Sequence, residues 1–276
     1  MATKKTKLGR NQVVGGDCIE HMRLMRDNSV DHVITDPPFE AECHDGNRMV
    51  GGRNRNTPGK RMTDRMKLDF DAITDDQRRE AAHEMVRISR GWVLVFCQIE
   101  AVSYWIEALK QASGKYRRTC IWHKTNAMPK MLGDGPAQSY ETFVAFWAGE
   151  SESVWNGGGK GCVWWSHTTG VNKFHPTEKP IPLMRDLIMH FTMPKQLICD
   201  PFAGAGSTGL AAKEAGRDYL LFEVDQKYAG ICKRRLSKVR KRSLSELVKL
   251  SPKLRDPAYG IKKAVRKAKP LPGIGG

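Results

Sequence analysis

Gln196-Leu197-Ile198-Cys199-Asp200 is a short apolar run ending in a carboxylate, followed at once by Pro201-Phe202-Ala203-Gly204-Ala205-Gly206-Ser207-Thr208-Gly209. Such a run bounded by turn residues predicts a buried strand, and the glycines allow a tight turn into a helix that starts near Ser207. Strand, glycine turn and helix in this order commit the chain around them to an α/β fold with a mostly parallel sheet and helices on both faces. The rest of the sequence agrees with that commitment. A strand at Gln12-Val13-Val14 runs into a glycine turn and the acidic cap Asp17, then a helix presenting Ile19, Met22 and Met25. Further helices are predicted near 75–89, 100–112 and around Leu183, Leu187 and Ile188, with a last one from about Gln226. Strands are predicted at 92–96, 117–122 and 142–147.

The second informative stretch is Asp31-His32-Val33-Ile34-Thr35, a short buried strand stopped abruptly by Asp36-Pro37-Pro38-Phe39. The Asp36 carboxylate is thereby left at the carboxyl end of a strand, the edge at which open α/β sheets bind ligands. Proline has no N–H to donate and fixes its own φ, so the Pro37 carbonyl can be held rigidly beside Asp36. Two acceptors and the Phe39 ring then converge on one point. An exocyclic amino group on a flat base, with two N–H donors and a π-face, fits such a site.

At 276 residues with 40% hydrophobic residues, one main domain is expected. Its seven cysteines are scattered, odd in number and never at C-x-x-C spacing, which argues against a disulfide framework and a zinc site; no metal is expected, and a reducing cytoplasm fits. No apolar run approaches membrane-spanning length and no signal-like apolar segment follows the basic first residues, so a soluble, unprocessed chain is expected. The net charge of +16 is concentrated at the end: from Lys233 to Gly276 there are 15 Lys or Arg against Glu246 and Asp256, a net of +13. Such a run reads as a solvated tail or as a phosphate-contacting segment. It is divided here as a catalytic domain over 1–241 and a basic tail over 242–276. Residues 40–67 lack apolar periodicity and carry Arg48, Arg53, Arg55, Lys60 and Arg61, a composition that suits either a disordered loop or a mobile, DNA-contacting one.

Gly204, Gly206 and Gly209 satisfy G-x-G-x-x-G spacing, and Glu223 ends the next strand 19 positions after Gly204. A nicotinamide-dependent oxidoreductase would share those features, because both suit any adenosine held at a strand, turn and helix. The whole set resembles a different family, the amino-group DNA methyltransferases that modify N6 of adenine or N4 of cytosine. Asp36 to Phe39 is similar to that family's catalytic tetrapeptide, Asp200 to Gly209 to its cofactor loop, and His175-Pro176-Thr177-Glu178-Lys179-Pro180 to the segment preceding that loop when the catalytic motif comes first. Gly16-Asp17-Cys18 and Trp122-His123-Lys124-Thr125-Asn126 with Pro129 resemble the same group, so the likeness spans roughly 13–235.

The resemblance implies a Rossmann-like fold and S-adenosylmethionine as cofactor. It implies that Phe202, Gly204 and Gly206 shape the methionine and ribose site together with Asp200, Ser207 and Thr208, and that Glu223 meets the ribose hydroxyls. Asp17 would lie near the adenine, with Thr177 and Lys179 near the methionine end. Double-stranded DNA is the implied partner, with Lys124 and Asn126 among the contacts and a homodimer as a further expectation. Aspartate at the head of the tetrapeptide leans toward adenine N6 within the family, while N4 of cytosine, an RNA or protein substrate and a silent DNA-binding module are the alternatives. The target-recognition region is unusually short, about 149–174, where Trp155, Trp164, Trp165 and His167 are either a compact recognition surface or core packing. No nuclease signature is present, which favours a lone modifying enzyme, orphan or paired with a separate restriction enzyme.

Overall fold

The computed structural model describes residues 8–39, 72–127, 135–169, 174 and 178–250. Its elements in chain order are β1 (Gln12–Gly15), α1 (Cys18–Arg23), β2 (His32–Thr35), α2 (Asp75–Ile88), β3 (Trp92–Cys97), α3 (Val102–Gln111), β4 (Lys115–Lys124), β5 (Tyr140–Trp147), β6 (Val163–Ser166), α4 (Ile181–Phe191), β7 (Leu197–Asp200), α5 (Ser207–Glu214), β8 (Asp218–Glu223), α6 (Gln226–Lys238) and α7 (Leu244–Leu250). The strands make one sheet in the order β1-β8-β7-β2-β3-β5-β4-β6. Only β5 is reversed among them, running antiparallel to β3 and β4. Consequently the start of β5 lies at the same sheet edge as the ends of its neighbours.

Side chains alternate across the pleat, and the sequence obeys that period. Ile34, Leu94 and Phe96 face one core, which α4, α5, α6 and α7 cover with Leu187, Leu210, Leu236 and Leu247. Val33, Val93, Val95 and Cys97 face the other, which α1, α2 and α3 cover with Met22, Met85 and Trp105. The central strands are buried on both faces and therefore read as nearly continuous apolar runs. Two buried polar residues fasten the amino edge of β2. Asp31 accepts from Leu197 N at 2.7 Å, and His32 Nδ1 accepts from Trp92 N at 2.9 Å while Nε2 donates to Gln196 Oε1 at 2.8 Å. Burial holds the His32 pKa down to about 4, so this ring is a neutral clip between strands.

Two elements exceed the sequence expectation. β6 carries Trp164 into the core, where it is 2% exposed and packs on Phe143 and Phe191. Trp155 is partly buried and packs on Phe191 against that core, whereas Trp165 is 56% exposed. The second is α7, which lies past the boundary drawn at 241. Its start is a reciprocal cap: Glu246 N donates to Ser243 Oγ at 3.3 Å and Ser243 N donates to Glu246 Oε2 at 2.8 Å. Arg242 reaches back to Glu214 at 3.2 Å, and Leu247 is 3% exposed. The folded unit thus includes at least the first part of the segment assigned to the tail from its charge; residues 251–276 fall outside the described residues. Leu247→Ala is expected to cost about 2–5 kcal/mol, as emptying a filled core site does. Chemical denaturation checks this; an unchanged midpoint would detach α7 from the core.

Candidate active site

The chain leaves β7 through α5 on one face of the sheet and leaves β2 through α2 on the other. β2 and β7 are parallel neighbours, with His32 opposite Ile198 and Val33 opposite Cys199. Their carboxyl ends therefore flank the crevice where the winding direction reverses, the place such sheets reserve for ligands. Asp36 follows one strand directly and Asp200 ends the other. Thr35 Oγ1 donates to Asp200 Oδ1 at 2.6 Å and ties the two ends together.

Asp200 is 3% exposed and also accepts from Phe202 N at 3.1 Å. Burial pushes its pKa up to about 6, and hydrogen bonds from Thr208 and Thr35 act against that rise. Its carboxylate and the buried Ser207 and Thr208 thus support the turn from within. Gly206 adopts φ +89°, and a Cβ there would stand 2.4 Å from Cys232 Sγ, so this position needs glycine for both conformation and space. Glu223, at the end of β8, accepts from Gly204 N at 2.6 Å and Asp225 N at 2.9 Å, and burial raises its pKa. Gly15 of β1 lies opposite Glu223, and Gly16 N donates to the Glu223 carbonyl at 3.0 Å. That pairing brings Asp17 to the same edge. Asp17 caps α1, accepting from Ile19 N at 2.7 Å and Glu20 N at 3.1 Å.

Asp36, Pro38 and Phe39 are half-buried at the end of β2, and Pro37 is buried. Lys179, which could have been a solvated surface lysine, is 5% exposed. Its Nζ donates to Asp36 Oδ2 at 2.5 Å and pairs with Glu141 Oε2 at 3.1 Å. The ammonium assigned to the methionine end of a cofactor is thus engaged by the carboxylate of the tetrapeptide. Lys124 has an internal partner as well. Expected to contact DNA, it pairs with Glu141 Oε1 at 2.8 Å, and its side chain is only 14% exposed. Its charge balances a buried carboxylate, since burial would raise the Glu141 pKa but Lys179 and Lys124 bring it down to about 2. Glu141 was not singled out in the sequence; the available signal was an acid at the head of a buried strand.

Asn126 is exposed, and its Oδ1 accepts from Thr168 N at 2.7 Å. Nearby, a cleft of about 490 Å³ is lined by Trp165, His167, Phe174, Glu178, Ile181 and Arg235. Thr177, Arg48, Arg53, Arg55, Lys60 and Arg61 lie outside the described residues. The ends of the segment carrying those five basic residues nevertheless meet at the tetrapeptide, because Ile73 N donates to the Phe39 carbonyl at 3.3 Å. Among the described residues, no cluster of three or more His, Cys, Asp or Glu could hold a metal ion.

An acid with a raised folded pKa favours folding most when protonated, so the Asp200 contribution declines as pH rises from about 4 through about 6. Thr35→Val removes a donor to the ionised form. The variant is expected to be less stable than the parent by about 1.5–3 kcal/mol well above that window, and by much less below it. Denaturation at mildly alkaline and mildly acidic pH checks the difference, and an equal loss at both would exclude the coupling.

Comparison with known proteins agrees with this geometry. The family model described as DNA methylase matches residues 30–234. The type II methyltransferase M.HinfI of Haemophilus influenzae is 24% identical over 290 residues, covering 91% of this chain and 75% of its own. The crystal structure of an M1.HpyAVI–SAM complex superposes with a TM-score of 0.62 at 22% identity, covering 82% of this chain and 98% of that one. PvuII DNA methyltransferase, described as cytosine-N4-specific, gives 0.63 at 15% identity over 90% and 93%. The sheet and its helices are the S-adenosylmethionine-dependent methyltransferase fold. With the family model covering both strand ends of the crevice, the chain belongs to the N6/N4 DNA methylase family.

Proposed function

We propose that this chain transfers a methyl group from S-adenosylmethionine to the exocyclic amino nitrogen of a base flipped out of duplex DNA, adenine N6 by preference. The observation that carries the reading is the placement of the Asp36 tetrapeptide beside the glycine turn, across the Thr35–Asp200 hydrogen bond. The residues at this edge suit the cofactor. Glu223 offers a half-buried carboxylate to a ribose diol, Asp17 is one strand away, and the half-buried Phe202 supplies an apolar surface. When bound, S-adenosylmethionine supplies an electrophilic methyl group.

The chain's own contribution is positioning and electrostatics. A base amino nitrogen is a poor nucleophile because its lone pair is delocalised into the ring. Asp36 and the Pro37 carbonyl, accepting its two N–H groups, would favour a tetrahedral nitrogen whose lone pair points at the methyl group. As the N–C bond forms, the nitrogen must shed a proton, for which the Asp36 carboxylate would be the acceptor. Phe39 gives the extruded base a ring to stack on. The overall charge of +16 supports attraction to a polyanion, with Arg48, Arg53, Arg55, Lys60 and Arg61 as candidate phosphate contacts.

N4 of cytosine is the second reading, favoured by the fold likeness to an enzyme described as cytosine-N4-specific. Both amino groups carry two N–H donors and are held in the same way. Incubation with labelled S-adenosylmethionine and mixed-sequence duplex DNA, followed by mass spectrometry of the nucleosides, is expected to give N6-methyladenine; N4-methylcytosine would keep the mechanism and change the base. Asp36→Ala should abolish methyl transfer while cofactor binding persists, and full activity in that variant would overturn the assignment. Phe39→Ala should weaken base capture, seen as a raised KM for DNA; unchanged kinetics would remove its stacking role.

A further inference from the structure

Four ionisable side chains cross the carboxyl edge of the sheet in a line. Asp36, after β2, pairs with Lys179; Lys179 pairs with Glu141 at the start of β5; Glu141 pairs with Lys124 at the end of β4. The reversal of β5 makes this possible, since it puts the beginning of β5 beside the end of β4. Lys179 bridges across the end of β3, where the Phe96 ring centroid lies 5.1 Å from Nζ, and the Phe39 ring lies 5.3 Å away. Two carboxylates and two ammoniums make the row electrically neutral. Such neutrality is what permits charges in a dry site, because an isolated buried ion would rather lose its charge than stay. Burial alone would lower the Lys179 pKa, but Asp36 and Glu141 raise it overall, so the cation is secure.

We propose that Lys179, clamped by Glu141, is a positioning residue for methyl transfer: it keeps the Asp36 carboxylate ionised and aimed at the site where the amino group arrives. The inference rests on the functional reading above, in which Asp36 is the acceptor. It gives Lys179 a role different from contacting the cofactor. The clamp matters as much as the cation, because the Glu141 carboxylate, paired with the ammonium at 3.1 Å, draws part of its charge away from Asp36. A lysine held by Asp36 alone would lie more fully on that carboxylate and compete with the amino group for it. Lys124 completes the row by keeping Glu141 charged.

Among the described residues, the charged groups found around Asp36 are Lys179 from the segment before α4, with Glu141 and Lys124 behind it on β5 and β4, and Asp200 from β7. Because Asp200 also titrates in the acid range, turnover must be separated from cofactor binding. The experiment uses the full chain, duplex DNA and saturating S-adenosylmethionine, and follows single-turnover methylation from mildly acid to mildly alkaline pH. Lys179→Met, of similar length and without charge, is expected to lower the neutral-pH rate by about a hundredfold and to move the acid limb of the profile up by about 1–3 pH units. The dissociation constant for S-adenosylmethionine should stay within about threefold of the parent's, as expected if the lysine is not a cofactor contact. Lys179→Arg should recover part of the rate and return the limb toward its original place. A rate loss with an unmoved limb, or one that saturating cofactor removes, would overturn the proposal.

A substrate-free measurement separates failure of this inference from failure of the functional reading. Without Lys179, Asp36 loses this ammonium while Glu141 keeps Lys124, and protonating a carboxylate offsets the lost charge. The melting temperature of Lys179→Met should therefore lie well below the parent's at alkaline pH and approach it on mild acidification. A gap that stays constant with pH overturns the inference. If the gap narrows but the parent methylates no DNA, the functional reading fails and the positioning role falls with it, while the charge coupling stands.

Discussion

The Thr35–Asp200 hydrogen bond joins the two strand ends on which the site depends. It is a contact between residues 165 apart in sequence, at 2.6 Å and buried. The sheet must wind outward in both directions from β2 and β7 for those ends to be neighbours, and each strand must stop where it does. Proline stops β2, and the glycine turn stops β7. A shift of one residue in either strand would turn the carboxylate that follows to the other face of the pleat. The amino-edge contacts of Asp31 and His32 hold that register from the opposite end, with Asp31 receiving the backbone N–H of Leu197. Chemistry at one edge is therefore anchored by polar groups at the other.

Most of this was legible because local and tertiary signals agree. The run Val33 to Thr35 looks like a buried strand from its composition, and the sheet buries it; Asp17 looks like a helix cap and is one. Gly206 looks like a residue required by a turn, and both its φ and its neighbour Cys232 require it. What the sequence left unseen shares a physical cause, which is that charge reports exposure poorly. Lys124 and Lys179 were read as groups reaching for ligands, and nothing in the sequence signals that they also form an internal row with Glu141 and Asp36. Their partners lie on strands brought together by the reversal of β5, and no local pattern encodes that reversal. The helix α7 was hidden differently. Its Ser243-Leu244-Ser245-Glu246 start carries a capping pattern, but the basic residues around it drew the segment into a tail.

The tryptophans show the same limit from the apolar side. Trp164 and Trp165 are adjacent, so the pleat of a strand must send them to opposite faces. One enters the aromatic cluster with Phe143 and Phe191, and the other lies over His123 with ring centroids 4.4 Å apart. Which of the two went inward depended on the pairing of β6 with β4, in which Trp122 lies opposite Trp164. Composition could identify the stretch as aromatic but could not choose its buried face.

A protein with a formal charge of +16 still keeps its cations separate in purpose. Those on the surface act at long range and are screened by salt, whereas Lys179 works across hydrogen-bond distance in a site nearly closed to water. Burying such a row brings little stability by itself, since apolar residues of similar volume commonly do as well or better. Its retention at the edge of the crevice makes physical sense if a charged Asp36 is needed before any substrate enters. In its neutral form that aspartate would carry a proton on one oxygen and present a donor where the amino group needs an acceptor. Lysine is well suited to prevent this because its ammonium is a compact charge with three donors, so one cation can serve two carboxylates on different strands. The same compactness lets the pairing shift by small movements when an amino group approaches, which a rigid bidentate arginine would resist.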